Sequence, residues 1–367
     1  MSGFGIFLSG REDIMKILSV GLGCVLLGLL PMVTQADTIN VPGDQPSIQA
    51  GINVAQNGDT VLVANGTWAS PDCRNLDFDG KAITVMSSGG ADNCAIDCLG
   101  QGRGFIFQST ETSSAIVDGF TIVNGVSTGG DDDGGGILCK TNSNPIIRNC
   151  RIESCHAVDH GGGIAAVFSS PTIMNCYIYG CSSDGSGGGM YILGDVDVLG
   201  CTLDYNLSLD QYSHGQGGGI FYHDGNGKVH DCVFYTNGAE RGAGVYCQGD
   251  VSFFNCLFYD NYTLGNNPAD QAGAGLYLSD GNVFNCTFTN NNLPASGLGE
   301  SIYVSYATSY IRRSILWDTG GNSLYNDGGT LSVTYSDVNM TSGTWPGTGN
   351  FDANPLFISG SDGPCYL

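Results

Sequence analysis

Two short stretches decide the fold: Asn255-Cys256-Leu257-Phe258 and, thirty residues on, Asn285-Cys286-Thr287-Phe288. The same cysteine position recurs at Cys150, Cys176, Cys201 and Cys232, with Phe120 before it in register and Ser314 and Ser336 after. Two residues later the column reads Ile122, Ile152, Ile178, Leu203, Phe234, Phe258, Phe288, Leu316 and Val338. Three residues before the cysteine it reads Ile147, Ile173, Val198, Val229, Phe253, Val283 and Ile311. A strand-like repeat of roughly 22–31 residues that cannot bury its own apolar face implies stacked units, about ten of them.

The parity of these columns locates a bend. A cysteine and the residue two later share one strand face, whereas the residue three earlier breaks that alternation. Between them stand Gly119, Asn149, Asn175, Gly200, Asp231, Asn255 and Asn285, the residue types that tolerate the left-handed region a sharp corner requires. A second landmark is a Gly-rich turn: Gly134-Gly135-Gly136-Ile137, Gly161-Gly162-Gly163-Ile164, Gly187-Gly188-Gly189-Met190 and Gly217-Gly218-Gly219-Ile220. It continues as Gly242-Ala243-Gly244-Val245 and Gly273-Ala274-Gly275-Leu276. The spacing from cysteine to turn varies, which places insertions at Asp204–Gln216 and Tyr259–Ala272 on one edge. At a coil spacing of about 4.8 Å, the cysteines form a ladder of buried free thiols, since a disulfide needs Cβ atoms about 3.5–4.5 Å apart. Cys94 with Cys98, or either with Cys73, is the pairing left open to a disulfide.

Composition agrees with strands and turns. The chain of 367 residues holds 58 glycines, 41% apolar residues and 13% charged ones. With 35 acids against 12 bases it carries a net charge of −23, which argues against nucleic acid and anionic membranes as partners. Residues 15–36 read as a signal peptide: Met15-Lys16 begins it, Ile17 to Leu30 is apolar, and Ala36 precedes the expected cleavage site. The domain organisation is therefore a leader over residues 1–36, with Met15 the start that suits it, and one repeat domain over 37–367. No other stretch is apolar for long enough to span a bilayer. The expected location is extracellular or at the cell surface. The close at Gly363-Pro364-Cys365-Tyr366-Leu367 has no capping helix, and an uncovered strand edge there points to a longer parent chain.

Asn-Cys-x-Phe followed by Asn, paired with Gly-Gly-Gly-Ile, resembles the repeats of right-handed parallel β-helix proteins and those of chlamydial polymorphic outer-membrane proteins. Ser47-Ile48-Gln49-Ala50-Gly51-Ile52 with Gly58-Asp59-Thr60-Val61 looks like the short N-terminal capping helix and first coil of pectate-lyase-like folds. Asn354-Pro355-Leu356-Phe357 resembles their closing segment. The resemblance covers most of residues 38–358 and implies an all-β, single-stranded solenoid. It specifies fold and leaves activity open.

Five positions on the strand after the Gly-rich turn point outward: Tyr191, Phe221, Tyr246, Tyr277 and Tyr303. They are expected to form an exposed aromatic stripe that stacks on sugar rings, as in the sheet that carries the polysaccharide groove of pectate-lyase-like enzymes. Asp131, Asp132, Asp133, Asp159 and Asp184 gather before the turns, and stacked carboxylates favour a cation, with Ca²⁺ the ion that oxygen ligands suit. The candidate catalytic residues are Glu240, Arg241 and Asp270, for a lyase or paired-carboxylate hydrolase, and His160. Asp159-His160-Gly161 resembles the Gly-His-Gly segment of polygalacturonases, but the Asn-Thr-Asp and Arg-Ile-Lys segments of that family are missing. The favoured function is glycan or surface-partner binding through the aromatic face, without catalysis. The alternative is a polysaccharide lyase or hydrolase acting on acidic glycans.

Overall fold

The computed structural model describes residues 36–127, 130–209, 215–264, 270–294, 296–306, 308–360 and 363–366. Residues 1–35 of the expected leader lie outside them. From Asp37 onward the chain is one compact unit. Its strands form three long parallel sheets of twelve, ten and eleven strands. One coil shows how they are made: Ile220–Asp224 enters the ten-stranded sheet, Lys228–His230 the twelve-stranded one and Val233–Tyr235 the eleven-stranded one. The next coil repeats this in register, pairing Ile220 with Val245, Val229 with Phe253 and Phe234 with Phe258. A fourth, five-stranded sheet runs from His156–Ala157 to Tyr262–Thr263 beside the Gly-rich turns.

Helix α1 (Ile48–Val54) closes the N-terminal end. The Ser47 hydroxyl caps it by accepting from the Ala50 amide, and Ile48 and Ile52 are buried against the first coil.

The inward columns identified above are fully buried. Phe234, Phe258 and Phe288 stack face to face with centroids 4.6 and 4.4 Å apart, each contributing roughly 1.5–3 kcal/mol by burial. Cys150, Cys176, Cys201, Cys232, Cys256 and Cys286 are buried free thiols. Cys73, Cys94 and Cys98 are free as well, which corrects the pairing left open for them. Cys94 begins a strand and Cys98 follows its end, so four extended residues, about 13 Å, separate the pair. Burial pushes the thiols of Cys98, Cys139 and Cys247 well above the ordinary value, keeping them protonated.

The corner column lies in the left-handed region throughout, from Gly119 at φ 77° and Asn149 at 53° to Asn285 at 54°. Its amides link outside the solenoid: Asn285 donates to Asn255 at 2.7 Å, and Asn255 to Asp231 at 3.1 Å. The last two members are Arg313, at φ 53°, and Tyr335, at 54°. Neither residue type suits this region, where an L side chain costs about 1–2 kcal/mol.

A second ladder runs inside, five residues after the cysteine. Asn206 donates to Asn237 at 3.0 Å, Asn237 to Asn261 at 3.0 Å and Asn261 to Asn291 at 2.9 Å. The second amide hydrogen of each goes to a carbonyl of the preceding coil, such as Leu203 for Asn237 at 2.9 Å. Every buried amide is thus satisfied. The column ends on Asp318, which is fully buried, receives the Asn291 backbone amide at 2.7 Å and takes a short hydrogen bond from the Ser301 hydroxyl. Burial pushes its carboxyl up to about 7. The folded state therefore holds this proton between about pH 4 and 7, where the unfolded chain has released it, so stability falls as pH rises across that interval. Asp318→Asn continues the ladder without a charge. Thermal melts from pH 5 to 8 should show the wild type losing stability with pH and the variant losing less, becoming the more stable of the two above pH 7.

Candidate functional site

Small residues at the Gly-rich turn let the preceding loop lie down on the ten-stranded sheet. A Cβ on Gly187 would stand 2.3 Å from the Met190 carbonyl oxygen and 3.0 Å from Tyr191 Cα, and one on Gly217 would stand 2.2 Å from the Ile220 carbonyl oxygen, so the start of each turn packs on the strand that follows it. The loops consequently cover the outward aromatic positions. Tyr191, Phe221, Tyr246, Tyr277 and Tyr303 are none of them more than 9% exposed, which corrects the expectation of an open stripe. They form a second apolar cluster with Leu138, Ala165 and Ala272, with Leu298 packed against it. Tyr246 and Tyr277 stack at 4.4 Å, and Tyr277 and Tyr303 at 4.7 Å. Strand alternation assigns their outward orientation, but parity carries no information about what covers the outer face.

Where this cover opens, a cleft of about 590 Å³ reaches the sheet, lined among others by Asp159, His160, Asp184, Tyr191, Gln216, Phe221, His223 and Gln248. The His160 ring stacks on Tyr191 at 4.5 Å, with an interplanar angle of 13°. The Tyr191 hydroxyl lies 2.8 Å from His223 Nδ1, and burial pushes the phenol up to about 12. Phe221 and His223 stack in turn at 5.2 Å. His160 Nδ1 accepts the Ser186 amide at 3.0 Å, so a neutral ring carries its proton on Nε2, which faces the Asp159 carboxylate at 3.3 Å. The histidine is oriented by partners on both nitrogens.

The expected acidic cluster is divided. Asp131 pairs with Lys140 at 2.5 Å, and Asp184 lies 3.7 Å from His156 Nε2. The Asp132 carbonyl accepts the Asp159 amide. Only Asp133, Asp159 and His160, among the described residues, bring ligand atoms within 4.8 Å of one another. Burial pushes the Asp133 carboxyl up, the neighbouring Asp159 charge adds to this, and His160 opposes it. Beneath the turn, Arg103 is buried and donates to the carbonyls of Asp133 and Gly134 at 2.8 Å each, and to that of Asp131. Ca²⁺ takes about six to eight oxygens, and here two carboxylates remain, with His160 Nε2 holding a proton toward one of them. The donor set does not fit Ca²⁺; the Arg103 guanidinium already supplies the positive charge.

The other catalytic candidates, Glu240, Arg241 and Asp270, are not part of this cleft. Arg241 pairs across the loop edge with both Gln216 and Ala272, and its Nε donates to the Asp270 carbonyl at 2.9 Å. The Arg241 and Asp270 side chains approach only to 3.9 Å. Arg241 ties coils together. Gln216, His223, Gln248 and Arg103 carry no signal in the sequence, because Gln216 and His223 flank one Gly-rich turn, Gln248 and Arg103 come from other coils, and no local motif joins them.

Among known protein families, a model described as a right handed beta helix region matches residues 135–316. The chain is a right-handed parallel β-helix. No curated protein matches it. Among solved structures, a PL6 family alginate lyase shares 11% identity over 90% of this β-helix, with a TM-score of 0.46. The β-helix spans only 55% of that enzyme's length. A pectate lyase shares 12% over 89% of this chain and 84% of its own, at 0.45. ORF18 of Geobacillus virus E2 shares 13% over 95% of this chain and 64% of its own, at 0.39. Since Arg103 occupies the acidic turn, the melting temperature of the protein should be the same in excess EDTA and in millimolar Ca²⁺; a rise with Ca²⁺ in differential scanning calorimetry would show that an ion does bind.

Proposed function

We propose that this β-helix protein binds an uncharged glycan in the cleft at the loop edge of its ten-stranded sheet. One observation carries the reading: carboxylate, amide and imidazole groups from several coils converge there beside aromatic edges, with no lysine or arginine among the lining residues. Vicinal hydroxyls of a sugar are both donors and acceptors, and Asp159, Gln216, His223 and Gln248 offer complementary groups. Polar groups placed on an otherwise apolar wall give orientation and selectivity. The carboxylates and the absence of basic side chains disfavour a polyuronate at this place. Export agrees with the leader composition of residues 15–36, and no helix among the described residues is long and apolar enough to cross a membrane. Affinity electrophoresis through neutral polysaccharides tests the reading. Gln248→Ala and His223→Ala should each weaken retention roughly tenfold, the loss of one well-made polar contact, with unchanged melting for Gln248→Ala and a lower melting temperature for His223→Ala, which strips the buried Tyr191 hydroxyl of its partner. Retention that neither variant alters would overturn it.

A hydrolytic reading has one observation in its favour. Asp133 keeps its proton to a higher pH than an ordinary carboxyl, and an Asp159 oxygen lies close by. Two carboxyls side by side, one of them holding its proton more tightly than usual, are the parts needed to break a glycosidic bond, one as acid and the other as nucleophile or base. On this reading the protein releases reducing ends from a polysaccharide, and Asp133→Asn lowers the rate by at least about 100-fold. A complete panel of polysaccharides yielding no reducing ends with the wild type would dismiss it.

A further inference from the structure

The last coils carry a second groove, far along the chain from the cleft and built from different chemistry. It has a volume of about 840 Å³ and is lined by Phe254, Phe284, Arg312, Arg313 and Tyr335, together with corner amides and two threonines. No acidic residue lines it. Phe254 and Phe284 stack at 5.1 Å on the outside of the twelve-stranded sheet, and Arg312 lies over the Tyr310 ring at 5.1 Å.

Three observations single out this groove. The first is charge. In a protein of net charge −23, most of the described cations are engaged: Lys140, Arg148, Arg151 and Arg241 face carboxylates, and Lys81 and Arg103 hold backbone carbonyls. Arg312 and Arg313 form no ion pair among the described residues, and both are exposed. The second is backbone. Arg313 and Tyr335 occupy the left-handed corner positions that asparagine fills two coils running, so bulky side chains stand at a strained place where a comfortable residue type was available. The third is the broken ladder. The corner ladder runs from the Asp231 carboxylate through the Asn255 amide to that of Asn285 and stops where Arg313 takes the next position, so Asn285 lines the groove with its Nδ2 donating back to Asn255 and no ladder donor following it among the described residues.

We propose that this groove binds a carboxylate-bearing sugar chain, with Arg312 and Arg313 pairing its carboxylates, Phe254, Phe284 and Tyr335 packing against its ring faces, and Asn285 accepting from its hydroxyls. A guanidinium matches a carboxylate in two parallel hydrogen bonds, and flat apolar rings suit the axial C–H face of a pyranose. Distant acids do not cancel the attraction, because at physiological salt their field is screened beyond about 8 Å. The site stands apart from the cleft and does not depend on what the cleft binds.

Isothermal titration of the full chain with hexagalacturonate, its methyl ester and a sulfated galactan hexamer tests this. Hexagalacturonate should bind and its methyl ester should bind at least about tenfold more weakly, the worth of one charge-assisted contact. Arg313→Asn should weaken hexagalacturonate by a similar factor while its melting temperature stays level or rises, since asparagine suits the corner. Tyr335→Asn should act in the same direction, and His160→Ala should leave this binding unchanged. The proposal is overturned by no binding, by equal affinity for the methyl ester, by tighter binding of the sulfated hexamer, or by a hexagalacturonate affinity that Arg313→Asn leaves intact.

Discussion

Backbone hydrogen bonds running from coil to coil hold every column of this molecule at the spacing of a parallel sheet, about 4.8 Å. Whatever residue a coil puts at a given position must live directly above and below its counterparts. Aromatic rings gain from that, as the Phe234, Phe258 and Phe288 stack shows. Amides gain as well, since one asparagine's N–H meets the next one's carbonyl oxygen, and both the outer and the inner ladders use this. Carboxylates lose. The molecule handles that loss with local cations: Lys140 on Asp131, Arg148 on Asp118, and Arg103 beneath the acidic turn.

The same constraint explains what is legible in the sequence. Inward columns and the left-handed corner repeat at each coil, so Asn149, Asn175, Asn255 and Asn285 declare their left-handed φ angles by residue type and spacing alone. The inner amide column is equally legible in principle, because Asn206, Asn237, Asn261 and Asn291 all stand five residues after a ladder cysteine. Cys155 and Cys181 hold that place in the earlier coils. The aromatic face is half legible. Alternation assigns Tyr246 and Tyr277 to the outside, but their cover comes from loops of unequal length, and repetition carries no information about those. For the cleft, Gln216 and His223 meet Gln248 only because their coils are neighbours, and Arg103 reaches the acidic turn from one coil away.

Departures from the repeat are where the two proposed binding surfaces lie. The cleft opens where loop cover over the ten-stranded sheet is interrupted. The groove forms where Arg313 and Tyr335 displace asparagine from the corner. One presents acids and amides, the other guanidinium groups and aromatic rings. A scaffold this regular tolerates such departures cheaply, since each coil touches mainly its neighbours and a strained corner does not propagate.

The thiol column has a further consequence. Its sulfurs are spread along the length of the molecule, shielded from solvent, one in nearly every coil from Cys150 to Cys286. A thiol in this position meets an alkylating reagent only when its own stretch of the stack comes apart. The chain therefore carries a built-in set of local reporters, and the order in which these cysteines become reactive maps how the solenoid frays.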